Sequence, residues 1–488
     1  MNQIKRLAGQ TIIYGFGTIA PRILNFLLLT PLYTRIFLKS EYGVFTELYA
    51  YIVFLLVILT YGMETGFFRF AKSEKDFRTV YSTSLITLFT TSLIFVVFTS
   101  IFSHQLASAI DYEHNANFIR WFCIIVSIDA FTSIPFAKLR YEGKAKKFGL
   151  LKIVNVLVNI GFNAIFFMVF PLIYKNNPEL LKYVYNPELG VGYVFIANLI
   201  ASLVTLLLLI PDIFSFKIRY DFELIKRMMV YSFPLLIVGI AGTINEVLDK
   251  ILMKHLVQDP STALEQVGVY GANYKLAVLM TIFIQMFRYA AEPYFFSRMD
   301  DKNAKEQYAT IMKYFIIIGL FIFLGVMLYI DIFKHFIGTE FHSGLKIVPI
   351  ILLANLFLGI LYNQSMWYKL TNLTKYGAMI SLIGAAITII LNILLVPVFG
   401  YMGAAWATLI CYTSMIIVTY FMGQKYYKIN YDLKNISIYF AVAIVIYMVN
   451  RLLAIDSFNL QLIVSTIFVM IYALFIYKKE DVLMIFNK

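Results

Sequence analysis

Charge is what this sequence has least of. Of its 488 residues only 14% are Asp, Glu, Lys or Arg, against roughly 25% in an ordinary soluble domain. So few charges cannot coat a globular surface with polar groups, and a water-soluble globule is excluded. The chain is 60% hydrophobic with a mean hydropathy of +0.77. Its outside must therefore face lipid. Cysteine is nearly absent: Cys123 and Cys411 lie far apart inside apolar runs and read as packing residues rather than a disulfide. Long polar segments are missing too. The longest is "KNNPELLKYVYNPE", Lys175 to Glu188, which leaves no room for an extracytoplasmic domain. There is no Walker A sequence, no HExxH spacing among the five histidines and no readable Ser-His-Asp arrangement, so direct ATP hydrolysis and the commonest hydrolytic chemistries are excluded. No cofactor and no metal is expected.

What the chain does have is apolar runs. By the criterion of about 20 residues per span, about fourteen helices are predicted, at 8–34, 44–70, 80–102, 117–138, 149–174, 190–214, 227–250, 267–293, 308–330, 346–368, 376–397, 402–423, 436–453 and 460–477. Runs this long and without strict alternation mean helices rather than a barrel, because lipid leaves every backbone group to be satisfied within its own segment. The first run follows Lys5-Arg6 and continues past a signal-peptide core with no cleavage site, so it reads as a retained helix. The net charge of +13 belongs to topology and to anionic lipid, not to nucleic acid. About 28 Lys and Arg fall on the N-terminal side and about nine on the other. That asymmetry predicts an even number of spans with both termini in the cytoplasm.

The chain repeats itself. "EYGVFTELYAY" from Glu41 aligns without gaps with "QVGVYGANYKL" from Gln266, matching Gly43 to Gly268 and Tyr49 to Tyr274. "KKFG" and "TKYG" each precede a span with a central Asn (Asn163, Asn392) and a late Pro (Pro171, Pro397). Spans 1–6 thus correspond to spans 7–12 in parallel orientation. The predicted fold is all-α and polytopic: an N-lobe over 1–215, a cytoplasmic linker over 216–226, a C-lobe over 227–424 and two C-terminal helices over 425–488. Paired six-helix lobes of this kind bind substrate at their seam.

These residues also resemble a family. "SFPLL" at the start of the seventh span with "LDKILM" at its end, "VGVYGANYKLAVL" and "LNILLVPVFGYMGAAWATLI" are similar to the polysaccharide (O-antigen, Wzx-type) flippases of the multidrug/oligosaccharidyl-lipid/polysaccharide exporter superfamily. The resemblance covers nearly the whole chain and rests on structural Gly and small-residue patterns. It implies fourteen helices and translocation of an undecaprenyl-diphosphate-linked oligosaccharide across the bacterial inner membrane.

Charges within the spans carry the site hypothesis, since each costs about 2.5–3.5 kcal/mol at mid-membrane. Arg22 follows Pro21 about 21 Å into the first span, out of snorkelling reach of either end. Lys275, Arg288 and Arg69 complete a cationic set for a diphosphate, which Arg binds in bidentate fashion. The competing reading is internal pairing of Glu64 with Arg69 and of Arg288 with Glu292. Asp129 is either a coupling site or a packed partner of a cation. Glu246, Asp249 and Lys250 form either an intrahelical pair at the interface or a gate, and Asp249-Lys250 matches an acidic–basic pair of the family at this point. Asn155, Asn159 and Asn163 make a polar stripe that either binds neighbouring helices or lines a wet cavity for sugar. Asn355, Gln364 and Trp367 are further candidates for sugar contact.

The sequence therefore predicts a non-enzymatic flippase for cell-surface polysaccharide (O-antigen, capsule or exopolysaccharide), working by alternating access. Its partners are the lipid-linked oligosaccharide, membrane lipid, and the polymerase and assembly proteins. The rivals are a cation-coupled multidrug antiporter of the same superfamily, a membrane glycan polymerase or ligase, and a scaffold. An antiporter would favour a more acidic cavity, a polymerase or ligase a large catalytic loop, and a scaffold would not need Arg22.

Overall fold

A computed structural model describes all residues except Met1, Lys75, Lys217, Ile218, Asp300, Ala454, Asp456 and 481–488; for 2–14, Phe16 and Pro293 it describes the backbone only. Every element among the described residues is helical. We number the longer helices α1 (Asn2–Ile36), α2 (Lys39–Thr60), α3 (Met63–Ser73), α4 (Phe77–Ile101), α5 (Ala116–Tyr141), α6 (Ala145–Ala164), α7 (Gly192–Ile213), α8 (Phe222–Leu256), α9 (Pro260–Leu276), α10 (Val278–Ser297), α11 (Ala304–Leu328), α12 (Val348–Gln364), α13 (Thr374–Phe399), α14 (Tyr401–Tyr426), α15 (Leu433–Leu452) and α16 (Phe458–Glu480). The rare acidic residues are spent on helix starts. Asp76, Asp221 and Asp432 accept backbone N–H groups at the openings of α4, α8 and α15, satisfying donors that lipid could not.

Among the described residues twelve helices are long and apolar enough to cross a membrane, and thirteen if α9 and α10, which bend by 52° at their junction, count as one span. The remaining predicted span, 8–34, falls on α1, in which only the backbone is described for 2–14 and Phe16. The second predicted span is broken. Tyr61 and Gly62 take left-handed backbone angles (φ 33° and 71°) between α2 and α3, a conformation that Gly62 accepts at little cost.

The chain divides into two compact units, 1–271 and 272–488. In the first, α1 lies along α6, α5 is sandwiched by α4 and α7, and α8 packs on α2 and α3. The first unit thus runs past the expected linker and takes in α8. In the second, α14 packs against α12 and α13, while α11 bridges α12 and α15. Cys123 and Cys411 are both buried and not joined in a disulfide.

The repeat has a physical counterpart. A Cβ on Gly43 would stand 1.9 Å from the Leu264 carbonyl oxygen, and one on Gly268 would stand 1.9 Å from the Lys39 carbonyl oxygen and 2.9 Å from the Gly43 nitrogen. The two glycines matched in sequence therefore meet where α2 crosses α9. Only residues without side chains let backbones approach so closely in lipid.

Candidate functional site

Among the described residues, three of the cations predicted to bind a diphosphate are not consumed by carboxylates. Arg22, just after Pro21 on α1, is exposed. Arg288 on α10 is exposed, with its guanidinium 4.0 Å above the Tyr362 ring. Arg69 on α3 lies 4.3 Å above the Tyr231 ring. Among the described residues none of these three forms an ion pair. An aromatic face holds a guanidinium in place while leaving its N–H edges available. Lys275 is half-buried on α9.

Both helical pairings that competed with this reading are replaced by others. Glu64 pairs with Arg140 of α5 rather than with Arg69. Glu292 pairs with Lys369 at 2.7 Å rather than with Arg288. Residues four apart share a helix face, but a partner on a neighbouring helix approaches from the side, and here it takes the carboxylate. Arg288, Glu292, Tyr362, Asn363 and Lys369 line one small cavity, and the Asn363 side-chain oxygen has no partner there.

Asp129 on α5 is half-buried and accepts a 2.9 Å hydrogen bond from the Ser202 hydroxyl of α7. Lys152 of α6 interacts with it electrostatically and lies 4.1 Å above the Phe136 ring. Asp129 is thus bonded by a serine and has a cation nearby, the arrangement of a packed partner.

The polar stripe on α6 is largely occupied by the protein. Asn155 donates to Thr205 of α7 at 2.9 Å, Asn163 accepts from Tyr33 of α1 at 2.8 Å, and Asn163 donates to Asn159. These bonds realise the helix-packing alternative. On α12, Asn355 is buried and accepts from Tyr274 at 3.4 Å. Gln364 and Trp367 are buried with Gln364 Oε1 and Trp367 Nε1 unpartnered, and both line a cavity with Tyr420, Tyr427 and Tyr431. Apolar ring faces beside unsatisfied amide and indole groups are the kinds of surface that contact a sugar, in a cavity that as it stands has room for about one water, about 10 Å³.

At the end of α8, Lys250 does not reach the Glu246 carboxylate. Its Nζ donates to the Glu246 backbone oxygen and to Asp249 Oδ1, each at 3.0 Å. Asp249 in turn accepts from the Tyr270 hydroxyl of α9 at 2.6 Å. The adjacent pair is therefore the one formed, tied to α9, while Glu246 stays exposed.

One turn on, a larger cluster escaped sequence reasoning. Glu47 of α2 is fully buried. Its carboxylate accepts from Tyr112 at 2.6 Å and lies 3.5 Å from Lys254 Nζ. Lys254 also donates to the Ile110 carbonyl, lies 3.6 Å from Asp111 and sits 4.1 Å above the Tyr112 ring. A Glu near the start of the apolar second span was a visible signal. Its partner was not, because α8 is distant in sequence and only folding brings Lys254 to it.

The fold has known counterparts. The structure resembles "Lipid II flippase MurJ, inward closed conformation" with a TM-score of 0.70 at 14% identity, covering 96% of this chain and 100% of that one. It also resembles an "inward-facing conformation of a multidrug resistance MATE family transporter of the MOP superfamily" (TM-score 0.65, 14% identity, 84% of this chain and 94% of that one). The outward-facing conformation of such a transporter matches at TM-score 0.59 and 15% identity, over 86% and 95%. No curated protein matches in sequence. Residues 7–299 match the family model described as "Polysaccharide biosynthesis protein"; the chain is a multi-pass membrane protein that belongs to this family.

Proposed function

We propose that this protein flips an undecaprenyl-diphosphate-linked oligosaccharide across the bacterial inner membrane by alternating access, supplying cell-surface polysaccharide synthesis, with both termini in the cytoplasm. One observation carries this reading: among the described residues Arg22, Arg69 and Arg288 form no ion pair, although the acids Glu64 and Glu292 on the same helices as Arg69 and Arg288 pair with other cations. A guanidinium kept in an apolar span without an internal partner has its charge free for an anion. A diphosphate leaving water would exchange its hydration for bidentate charge-assisted hydrogen bonds from these groups. The tyrosine-lined cavity holding Gln364 and Trp367 would meet the sugar. A cytoplasm-negative potential adds about 2.3 kcal/mol per charge per 100 mV in favour of an anion leaving. Polymerase and assembly proteins would take up the product.

The test is a vesicle flipping assay with undecaprenyl-diphosphate sugars, comparing wild type with Arg22→Ala and Arg288→Ala. A hydrogen bond to a charged group contributes about 1.5–3 kcal/mol, so each variant should slow flipping about tenfold or more. Unchanged flipping in both removes the site. Export of a cationic dye with no movement of the lipid-linked sugar would favour the antiporter.

A further inference from the structure

An apolar cavity lies apart from these cations, none of which lines it. It occupies about 250 Å³ between α4, α5 and the end of α7, and is lined by Tyr81, Ser82, Leu85, Ile86, Phe89 and Phe131, closed by Phe214 and Phe216. From Tyr81 to Phe89 it follows α4 for about 12 Å at 1.5 Å per residue. Its lining is apolar except for Ser82 and the Tyr81 hydroxyl, and these are used internally. Ser82 Oγ accepts the Arg219 backbone N–H at 2.7 Å, and Tyr81 donates to the Asp212 carbonyl at 3.0 Å. Phe89 and Phe214 remain exposed, so the groove opens sideways rather than into the protein.

Its mouth is cationic. The Arg78 guanidinium stands 5.1 Å from the Phe216 ring centroid, and the Ser82 bond holds Arg219 beside the same opening. Both arginines are exposed, and among the described residues neither forms an ion pair. The acids two residues away in sequence cap helices, Asp76 accepting from Arg78 N and Thr79 and Asp221 from Leu224 N. Lys138, 4.6 Å from the other side of Phe216, is buried and donates to Asp212 and Ser215.

We propose that this groove is a binding site for an anionic phospholipid of the phosphatidylglycerol type. One acyl chain lies along α4 between Ile86 and Phe131, and the phosphodiester sits between Arg78 and Arg219. The charge at the mouth selects the headgroup, and the apolar length selects a chain over a free phosphate. This is a structural lipid site, independent of the flipping reading, since neither arginine belongs to the diphosphate set.

The experiment is a native mass-spectrometric titration of the purified, delipidated full-length protein. The probes are long-chain phosphatidylglycerol, long-chain phosphatidylethanolamine, dihexanoyl phosphatidylglycerol and inorganic phosphate. We expect a retained long-chain phosphatidylglycerol adduct at lipid concentrations at least tenfold below those for phosphatidylethanolamine, and none with phosphate. The Arg78→Ala/Arg219→Ala double variant should lose that preference. Ile86→Trp, which fills the groove, should lose the adduct. If Ile86→Trp does not fold, the Arg78→Lys/Arg219→Lys variant, which keeps the charge, decides by retaining it. Equal retention of both long-chain lipids, an unchanged adduct in the double alanine variant, or equal binding of the dihexanoyl lipid would overturn the site. None of these outcomes bears on Arg22, whose flipping assay is read separately.

Discussion

Lys254 and Arg22 are both cations in apolar helices of the first unit, and the fold treats them oppositely. Lys254 is closed in by Glu47, Asp111, the Ile110 carbonyl and the Tyr112 ring. Arg22 faces outward with none of this. The first arrangement is expensive to break, because removing either partner strands a buried charge. The second contributes little to stability, so its retention in an apolar helix calls for a ligand. Burial and pairing thus separate the charges that hold the structure from those available for function, a distinction that span depth alone does not make.

The sharpest way to break the comparison is to remove Lys254. Lys254→Ala leaves the Glu47 carboxylate buried beside Tyr112 only, and should cost about 3–5 kcal/mol in detergent-solubilised unfolding. Glu47→Leu combined with Lys254→Met should recover most of that loss. A single variant that unfolds like wild type would mean that the pair is not closed in the folded protein. Next comes Gly268→Ala, which drives a methyl group into the Lys39 carbonyl. The α2–α9 crossing must open, at about 1–3 kcal/mol, and disulfide trapping between cysteines placed at Lys39 and Leu264 should become slower.

Arg22→Ala should change stability by no more than about 0.5 kcal/mol while flipping falls. A loss of stability comparable to that of the Lys254 variant would erase the contrast between the two cations. Lys369→Ala lies in between. Its partner Glu292 is partly exposed, so about 0–1 kcal/mol is expected, with flipping altered only through the neighbouring Arg288. A cap contributes about as much as the Lys369 pair at most: Asp432→Ala should lower stability by about 1 kcal/mol. The hydrogen bond from Asn435 holds the Asp432 carboxyl below its ordinary range. Its contribution is therefore present above the unfolded pKa and lost as pH falls through the lower folded value. A cap effect that grew on acidification would contradict this.

The sites divide along the same line. Arg22, Arg69 and Arg288 were legible because a charge within an apolar run stands out. Their neighbours were not: the competing reading paired Glu64 with Arg69 and Glu292 with Arg288, whereas Glu64 holds Arg140 and Glu292 holds Lys369. Nearness in sequence proposes a partner on the same helix, while packing offers a better placed one on another helix. The asparagine stripe of α6 was visible as a stripe, and only the presence of Tyr33 and Thr205 opposite it determined its use.

By itself the sequence determined the membrane, the helices, their approximate limits and the internal repeat, because an apolar solvent forces each segment to satisfy its own backbone. The tertiary structure decided what no single segment contains. It brought Gly43 and Gly268 into contact, broke the second span at Tyr61 and Gly62, and enclosed Glu47 with Lys254. These are contacts between residues far apart in the chain, and their energies depend on distances that hydropathy and spacing do not encode.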